Sequence, residues 1–404
     1  MPDLRLRDYP AYRYFWLARV LSSTAFQVNA VAVGWLIYAR TGSAFELGLV
    51  GLAQFLPMVL LTLPAGHLAD RYDRRHIARV CQWVEATVSA FLVMGSWGHW
   101  AGTGWIFAAV ILLGAARAFE SPALSALLPS LVPTSLFGQA TALSASANQT
   151  ATILGPALGG LVYALAPAAP YTMSAACFAL AGALAGMMRL QQVSSRREPA
   201  SWASVFSGLT FIWQRPAILG CVSLDLFAVL LGGATALLPV FAGGILHTGP
   251  WGLGLLRSAP AVGALAMSVV LARVRIRSGA GAKMFAAVIV FGLATILFAL
   301  STHIAVSLLA LVAMGAADNV SVVVRSFLVQ LGTPDDMRGR VSAMNFLFIG
   351  TSNQLGEFES GVTAALIGTV PAVVLGGVGT VLVALIWMRL FPALRRVESL
   401  ETVA

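Results

Sequence analysis

Apolar residues fill most of this chain in long runs, interrupted by short polar segments that are rich in Arg. A helix needs roughly 20 apolar residues to cross the hydrocarbon of a bilayer, because every backbone group there must be hydrogen-bonded within the segment. On that basis the pattern predicts spans near residues 14–38, 47–66, 79–98, 104–126, 138–163 and 169–188. A second set of six follows near 216–241, 252–274, 284–302, 304–325, 340–366 and 371–390. The runs are apolar nearly all round, as lipid-facing helices are, so a 3.6-residue period is faint. Between the two sets lies the longest polar stretch. Within it Trp202, Val205, Phe206, Leu209 and the run 211–213 share helical spacing, which predicts an amphipathic helix lying at the bilayer surface. The expected organisation is a six-helix bundle over 1–190, a cytoplasmic linker over 191–215, and a second bundle with a short tail over 216–404.

Composition agrees with that reading. The chain has 404 residues, of which 58% are hydrophobic and 10% charged, and a mean hydropathy of +0.84. Soluble domains carry about 25% charged residues, so a soluble globular protein is excluded. The basic balance, 25 Lys and Arg against 16 Asp and Glu, does not indicate nucleic acid, because the Arg residues punctuate the apolar runs and form no stripe along a soluble face. The three cysteines, Cys81, Cys177 and Cys221, lie inside apolar runs with no metal or disulfide spacing. The run from Tyr14 to Tyr38 is too long for a signal-peptide core and no small-residue cleavage site follows it, so the first span is expected to be retained.

Charge also sets orientation. Most of the basic residues fall in segments that would share one side, among them Arg71, Arg74, Arg75, Arg79, Arg273, Arg275, Arg277, Lys283, Arg395 and Arg396, while the opposite connections are short and hold only Arg40. The positive-inside rule then places both termini in the cytoplasm and requires an even number of spans.

The chain repeats itself at an offset of 201 positions. Gly114-Ala-Ala-Arg117 corresponds to Gly315-Ala-Ala-Asp318. Pro133 corresponds to Pro334, Gly138 to Gly339, Ala142 to Ala343, and Gly155 and Gly160 to Gly356 and Gly361. Chance similarity between apolar segments is the competing explanation, but shared Gly and Pro at one offset favours two homologous halves with a site between them.

Three motifs carry a resemblance. Gly66-His-Leu-Ala-Asp70-Arg71-Tyr-Asp73-Arg74-Arg75 is similar to the Gly-x-Leu-x-Asp-Arg-x-Gly-Arg-Arg signature that the major facilitator superfamily places between its second and third spans, with Asp73 where Gly is usual. The segment 112–123, with Arg117, Glu120 and Ser121, resembles a weaker form of that family's fourth-span Arg motif. Gly155-Pro156-Ala-Leu-Gly159-Gly160 resembles its fifth-span motif associated with antiporters. Further segments, including Val31–Trp35, Leu49–Pro57, Asp225–Pro239 and Gly356–Gly361, resemble the branch that contains the enterobactin exporter and related secretion and efflux proteins. The resemblance implies an all-α integral membrane protein of the cell inner membrane, with twelve transmembrane helices in two pseudo-symmetric six-helix bundles.

The residue chemistry supplies the candidate sites. Gly66, Asp70, Arg71, Arg74 and Arg75 form a short turn, so Asp70 would face the positive N-terminal end of the eleventh span, and Arg71 and Arg74 would reach Glu120 as parts of a gate. The Arg side chains equally serve as topogenic charge. Arg117 and Asp318 lie well inside spans, where charge costs several kcal/mol unless it faces a wet cavity or a partner. They are cavity or structural-pair candidates. Glu85, Asp225, Glu357 and Glu359 are the other span acids, each as fit for a structural pair as for carrying protons. A carboxylate whose surroundings alternate between apolar contact and an Arg neighbour takes up and releases protons. Glu357 and Glu359 are about 200° apart on a helix and cannot share one cavity. The first span holds no acid, and its polar residues include Arg19, Gln27 and Asn29, which departs from ordinary drug–proton antiport. Gly155, Pro156, Gly159 and Gly160 allow close helix packing.

No catalytic, metal-ligating or phosphate-loop pattern is present in the sequence, so neither an enzyme nor a cofactor is expected. The expected function is export of a small organic molecule (a siderophore, drug or amphiphile) by alternating access, driven by protons, from a monomer surrounded by lipid and without a nucleic-acid partner. The competing readings are a lipid or lysolipid flippase, an uptake carrier of the same fold, and a membrane sensor or assembly factor that does not transport.

Overall fold

The computed structural model describes residues 6–98, 102–188, 202–274 and 279–397. After a short 3-10 turn, six long helices follow: α1 (Pro10–Thr41), α2 (Ala44–Arg71), α3 (Arg74–Gly98), α4 (Thr103–Leu127), α5 (Thr134–Leu165) and α6 (Ala169–Met187). The linker forms α7 (Trp202–Gln214). The second set is α8 (Pro216–Leu231), the single turn α9 (Leu238–Val240), α10 (Gly249–Arg273), α11 (Ala280–Leu300), α12 (Ile304–Leu331), α13 (Asp335–Ile367) and α14 (Thr369–Leu390), with a final turn α15 (Pro392–Arg395). Every described helix except the final turn α15 is where an apolar run or the linker pattern predicts one. Several extend beyond the apolar run by a turn or more, as α2 does to Arg71 and α13 does from Asp335.

Ten helical stretches among the described residues are long and apolar enough, by length and composition, to cross a membrane. The two long helices outside that set are α5 and α13. Both are long enough, but Ser144, Asn148, Gln149 and Thr150 dilute the first, and Asn353, Gln354, Glu357 and Glu359 the second. They are also the helices related by the 201-residue offset. The repeat extends to the backbone. Pro133 caps the start of α5 at φ −60° and ψ 156°, and Pro334 caps α13 at φ −56° and ψ 153°. Proline fits both places because its fixed φ suits a helix start and its missing N–H has no partner to lose there.

The seventh span is interrupted. α8 stops at Gly232, and a 3-10 turn at Ala234–Leu237 leads through α9 into a π-helical turn at Phe241–Ile245. Two local features break the ladder. Pro239 has no N–H to donate, and the Gly232–Gly233 pair lets other groups in close. A Cβ on Gly233 would sit 2.9 Å from the carbonyl of Gly356 on α13.

The chain folds as two units. The first comprises residues 1–37, 53–200 and 249–254, and the second 38–52, 201–248 and 255–404. In the first, Tyr12, Phe15, Ala78, Leu127, Ala181 and Met188 form a buried core across α1, α3, α4 and α6. In the second, Cys221, Leu224, Phe285, Val324 and Ala384 form the equivalent core across α8, α11, α12 and α14, and Ile212 of the linker helix is buried in it.

Candidate functional site

Each unit buries a cluster of charged and polar side chains between its first and fourth long helices. In the first unit, Glu120 on α4 has no exposed surface. Its carboxylate pairs with Arg117 one turn earlier at 2.5 Å. It also accepts hydrogen bonds from the Ser22 hydroxyl of α1 at 2.6 Å and the Gln82 amide of α3 at 2.9 Å. Arg117 donates to Ser22 at 3.2 Å and lies over the Phe26 ring, 4.9 Å from its centroid. Arg19, one turn before Ser22, is within electrostatic reach of both Arg117 and Glu120.

A second tier lies deeper in the same unit. The Asn29 amide donates to the Ser89 hydroxyl at 2.9 Å, and Ser89 donates to the carbonyl of Glu85 at 2.8 Å. Glu85 is wholly buried, and neither of its carboxylate oxygens has a hydrogen-bond partner among the described residues. The same holds for Asn29 Oδ1 and Gln82 Oε1. Leaving a buried carboxylate unbonded is costly, so stability alone does not account for Glu85.

In the second unit, Asp225 on α8 forms an ion pair with Arg325 on α12, and both side chains are almost wholly buried. On α12, Asp318, Ser321 and Arg325 recur at helical spacing along one face. Asp225, Asp318 and Ser321 border one small cavity. Trp387 of α14 donates to Ser223, two residues before Asp225, at 2.9 Å.

The acids of α13 behave differently from each other. Glu357 packs against α2, where a Cβ on Gly51 would lie 2.9 Å from its carboxylate, and it is within electrostatic reach of Arg257. Glu359 instead accepts from Thr363 one turn later, at 2.8 Å.

The expected gate differs from the observed contacts. Glu120 is not met by Arg71 or Arg74. Arg74 donates to the carbonyl of Ala126 at 3.0 Å, Arg75 to that of Met188 at 2.5 Å, and Arg71 is exposed. Glu120 is held by Arg117 because an i, i+3 partner on the same helix is closer than any residue of the turn. The side chain of Asp70 lies outside the described residues, and Gly66 meets open space. Asp73, which replaces the usual glycine, caps α3 by accepting the N–H of Arg75 at 2.9 Å, the role Asp fills at a helix start.

The glycine motif of α5 divides between two neighbours. Gly155 and Gly159 admit α1, the first against Gln27 and the second 3.1 Å from the Val28 backbone, as a Cβ there would measure it. Gly160 faces Gly254 and Pro250 of α10, and Gly254 in turn faces the carbonyl of Pro156. The repeat counterpart of Gly160, Gly361 on α13, meets Gly48 of α2 just as closely.

Sequence reading missed Arg325 as the partner of Asp225, and Ser22, Gln82 and Ser321 as members of the clusters. A signal was available for some of these. The same 201-residue offset aligns Ser22 with Ser223 and Phe26 with Phe227, and Arg325 falls two turns after Asp318.

A family model described as transmembrane secretion effector, of the MFS_3 family, matches residues 6–404. The chain belongs to this family. Among curated proteins, it is 27% identical over 401 residues to the multidrug efflux pump Tap of Mycobacterium tuberculosis, with 94% of this chain and 93% of that protein covered. It is 26% identical over 408 residues to the enterobactin exporter EntS of Citrobacter koseri, covering 97% and 94%. In structure it superimposes on a bacterial homolog of the human lysosomal transporter Spinster, in an inward-facing, unoccupied conformation. That match has a TM-score of 0.77 at 13% identity, over 97% of this chain and 99% of that one. It also superimposes on the nucleoside transporter NupG with a TM-score of 0.72 at 15% identity, over 94% and 99%. At these identities the structural matches speak for the fold. This family member is therefore a multi-pass membrane transporter of the major facilitator fold and not an enzyme.

Proposed function

We propose that this transporter exports a small organic molecule by alternating access, driven by protons, from the cytoplasmic side of the inner membrane. Its relatives Tap and EntS are efflux proteins, which supports the direction and suggests a drug, siderophore or amphiphile as cargo. Both termini lie in the cytoplasm on the strength of the Arg-rich segments. The protein works as a monomer in lipid, with the cargo and protons as its ligands.

One observation carries the mechanism. Both units bury an ion pair where their first and fourth helices meet: Arg117–Glu120, both on α4 and joined to Ser22 of α1, and Arg325 of α12 with Asp225 of α8. Intramembrane charge is expensive and marks ion or substrate pathways. A carboxylate that exchanges an Arg partner for a proton as the helices move couples proton flow to conformation, because its two environments favour opposite protonation states. Glu85 adds a buried acid with neither oxygen bonded.

Single neutralisations test this in cells. Arg117→Gln, Asp225→Asn and Glu357→Gln are each made in an efflux-deficient host, and ethidium efflux is followed at two external pH values. The proposal expects Arg117→Gln and Asp225→Asn to lower efflux at least tenfold or remove its pH response. If all three variants insert normally and efflux with an unchanged pH response, proton coupling through these residues is wrong.

A further inference from the structure

The second unit holds a small cavity that the Asp225–Arg325 pair does not explain. Its polar walls are Asp225 of α8 with Asp318 and Ser321 of α12, and its apolar walls include Val288 and Phe291 of α11 and Ala317 of α12. The volume open to the centre of a water molecule is about 10 Å³, the size of a single-water site. The Ser321 side chain is 3% exposed, and its hydroxyl has no hydrogen-bond partner among the described residues. Arg325 Nε is likewise buried and without one.

One water satisfies this geometry. Such a water would accept from the Ser321 hydroxyl and donate to the Asp225 carboxylate; towards Asp318 it would donate while that carboxylate is ionised and accept once it is protonated, three bonds being typical of a buried water. The two carboxylates differ in access: Asp225 is buried against Arg325, whereas Asp318 is only half-buried. The first unit is built otherwise at the equivalent place, with Arg117 touching Glu120 directly.

We propose that this cavity is a proton-transfer site in which a bound water connects Asp318 to Asp225, so that Asp318 receives the proton and Asp225 is discharged through it. The step balances. The Asp318 carboxylic acid gives its proton to the water, and the water gives one of its own hydrogens to the Asp225 carboxylate. The negative charge moves from Asp225 to Asp318, and Arg325 keeps its charge but loses its ionised partner. This rests on the proton-coupled reading above and names the route by which the second ion pair is released.

The groups around Asp225 leave few other donors. On α8 itself, Cys221 lies one turn away and faces Arg325. α11 contributes Val288 and Phe291. α13 meets α8 through Gly356 against the carbonyls of Val229 and Leu230. α14 presents Thr380, which donates to the carbonyl of Ala228 at 3.0 Å, and Trp387. Ile212 of α7 and Leu394 of α15 close the core.

Infrared difference spectroscopy of the full chain in liposomes, between two pH values and without cargo, tests the proposal. The carboxylic-acid band lost in Asp225→Asn reports Asp225. In Asp318→Asn the midpoint of that band is expected to shift at least tenfold in proton concentration, and its deuterium exchange to slow at least tenfold. Ser321→Ala, which keeps both charges, is expected to slow the exchange severalfold, and it carries the test if Asp318→Asn is not recovered folded. An Asp225 band with wild-type exchange in the folded variants overturns the relay, as does the absence of any titrating Asp225 band. Intact efflux with no relay signature would sink this inference alone, and an intact relay in a protein that moves no cargo would sink the exporter reading alone.

Discussion

Arg325→Leu alone is expected to destabilise the protein by about 3–5 kcal/mol, because it strands the Asp225 carboxylate in an apolar core. Asp225 is 5% exposed and packed among Leu224, Ala228 and the apolar faces of α11 and α12. Replacing both members, as Asp225→Leu with Arg325→Leu, is expected to recover most of that loss. Well-packed apolar residues often match or exceed a buried ion pair in stability, since they require no desolvation of charge. The measurement is thermal unfolding of the purified variants in detergent, with size-exclusion profiles as a check on folding. Recovery of stability in the double variant together with loss of efflux separates function from scaffold: the pair is then retained for transport. A double variant as unstable as the single one would show that the site cannot be repacked and that the pair is structural.

The glycine crossings predict the second large effect. A Cβ on Gly361 would lie 2.5 Å from the Cα of Gly48, and one on Gly254 would lie 2.6 Å from the carbonyl of Pro156. No real side chain tolerates such approach without the helices moving apart, and overpacking of this kind costs about 1–3 kcal/mol. If the transporter rocks between two states, that cost falls on the state that closes the crossings and shifts the balance by roughly 5- to 150-fold. Gly361→Val is therefore expected to speed maleimide labelling of a cysteine placed at Ala44, whose carbonyl a Cβ on Gly361 would meet at 2.9 Å, by at least fivefold. Labelling at the wild-type rate in the folded variant would mean that the crossing does not yield to the added side chain.

Much of the fold was readable because lipid leaves the chain little choice. An apolar run of sufficient length is a helix there, and the 201-residue offset tied together even the two polar helices. Pro133 and Pro334 begin α5 and α13 with nearly the same backbone angles. The interruption after α8 falls where Gly232, Gly233 and Pro239 break the helical ladder. The charge partners were harder to read, for a different physical reason. Which acid meets which Arg depends on how helices pack, and sequence order ranks those contacts poorly. The motif suggested Arg71 and Arg74 for Glu120, although Arg117 stood one turn away on the same face. Arg325 lay near the end of an apolar run, where a charge looks topogenic, and only the packing of α8 on α12 gives it Asp225. The same applies to segments 38–52 and 249–254, which sequence order assigns to one half and packing groups with the other.

The most direct test is flux through the purified full chain in sealed liposomes, with an imposed proton gradient and a panel of catecholate siderophores and toxic amphiphiles. The account predicts that at least one compound moves against its concentration gradient only while the proton gradient stands, with matching proton movement, and that a protonophore stops both. Cargo movement at the same rate with and without the gradient, and no proton movement alongside it, would contradict the account.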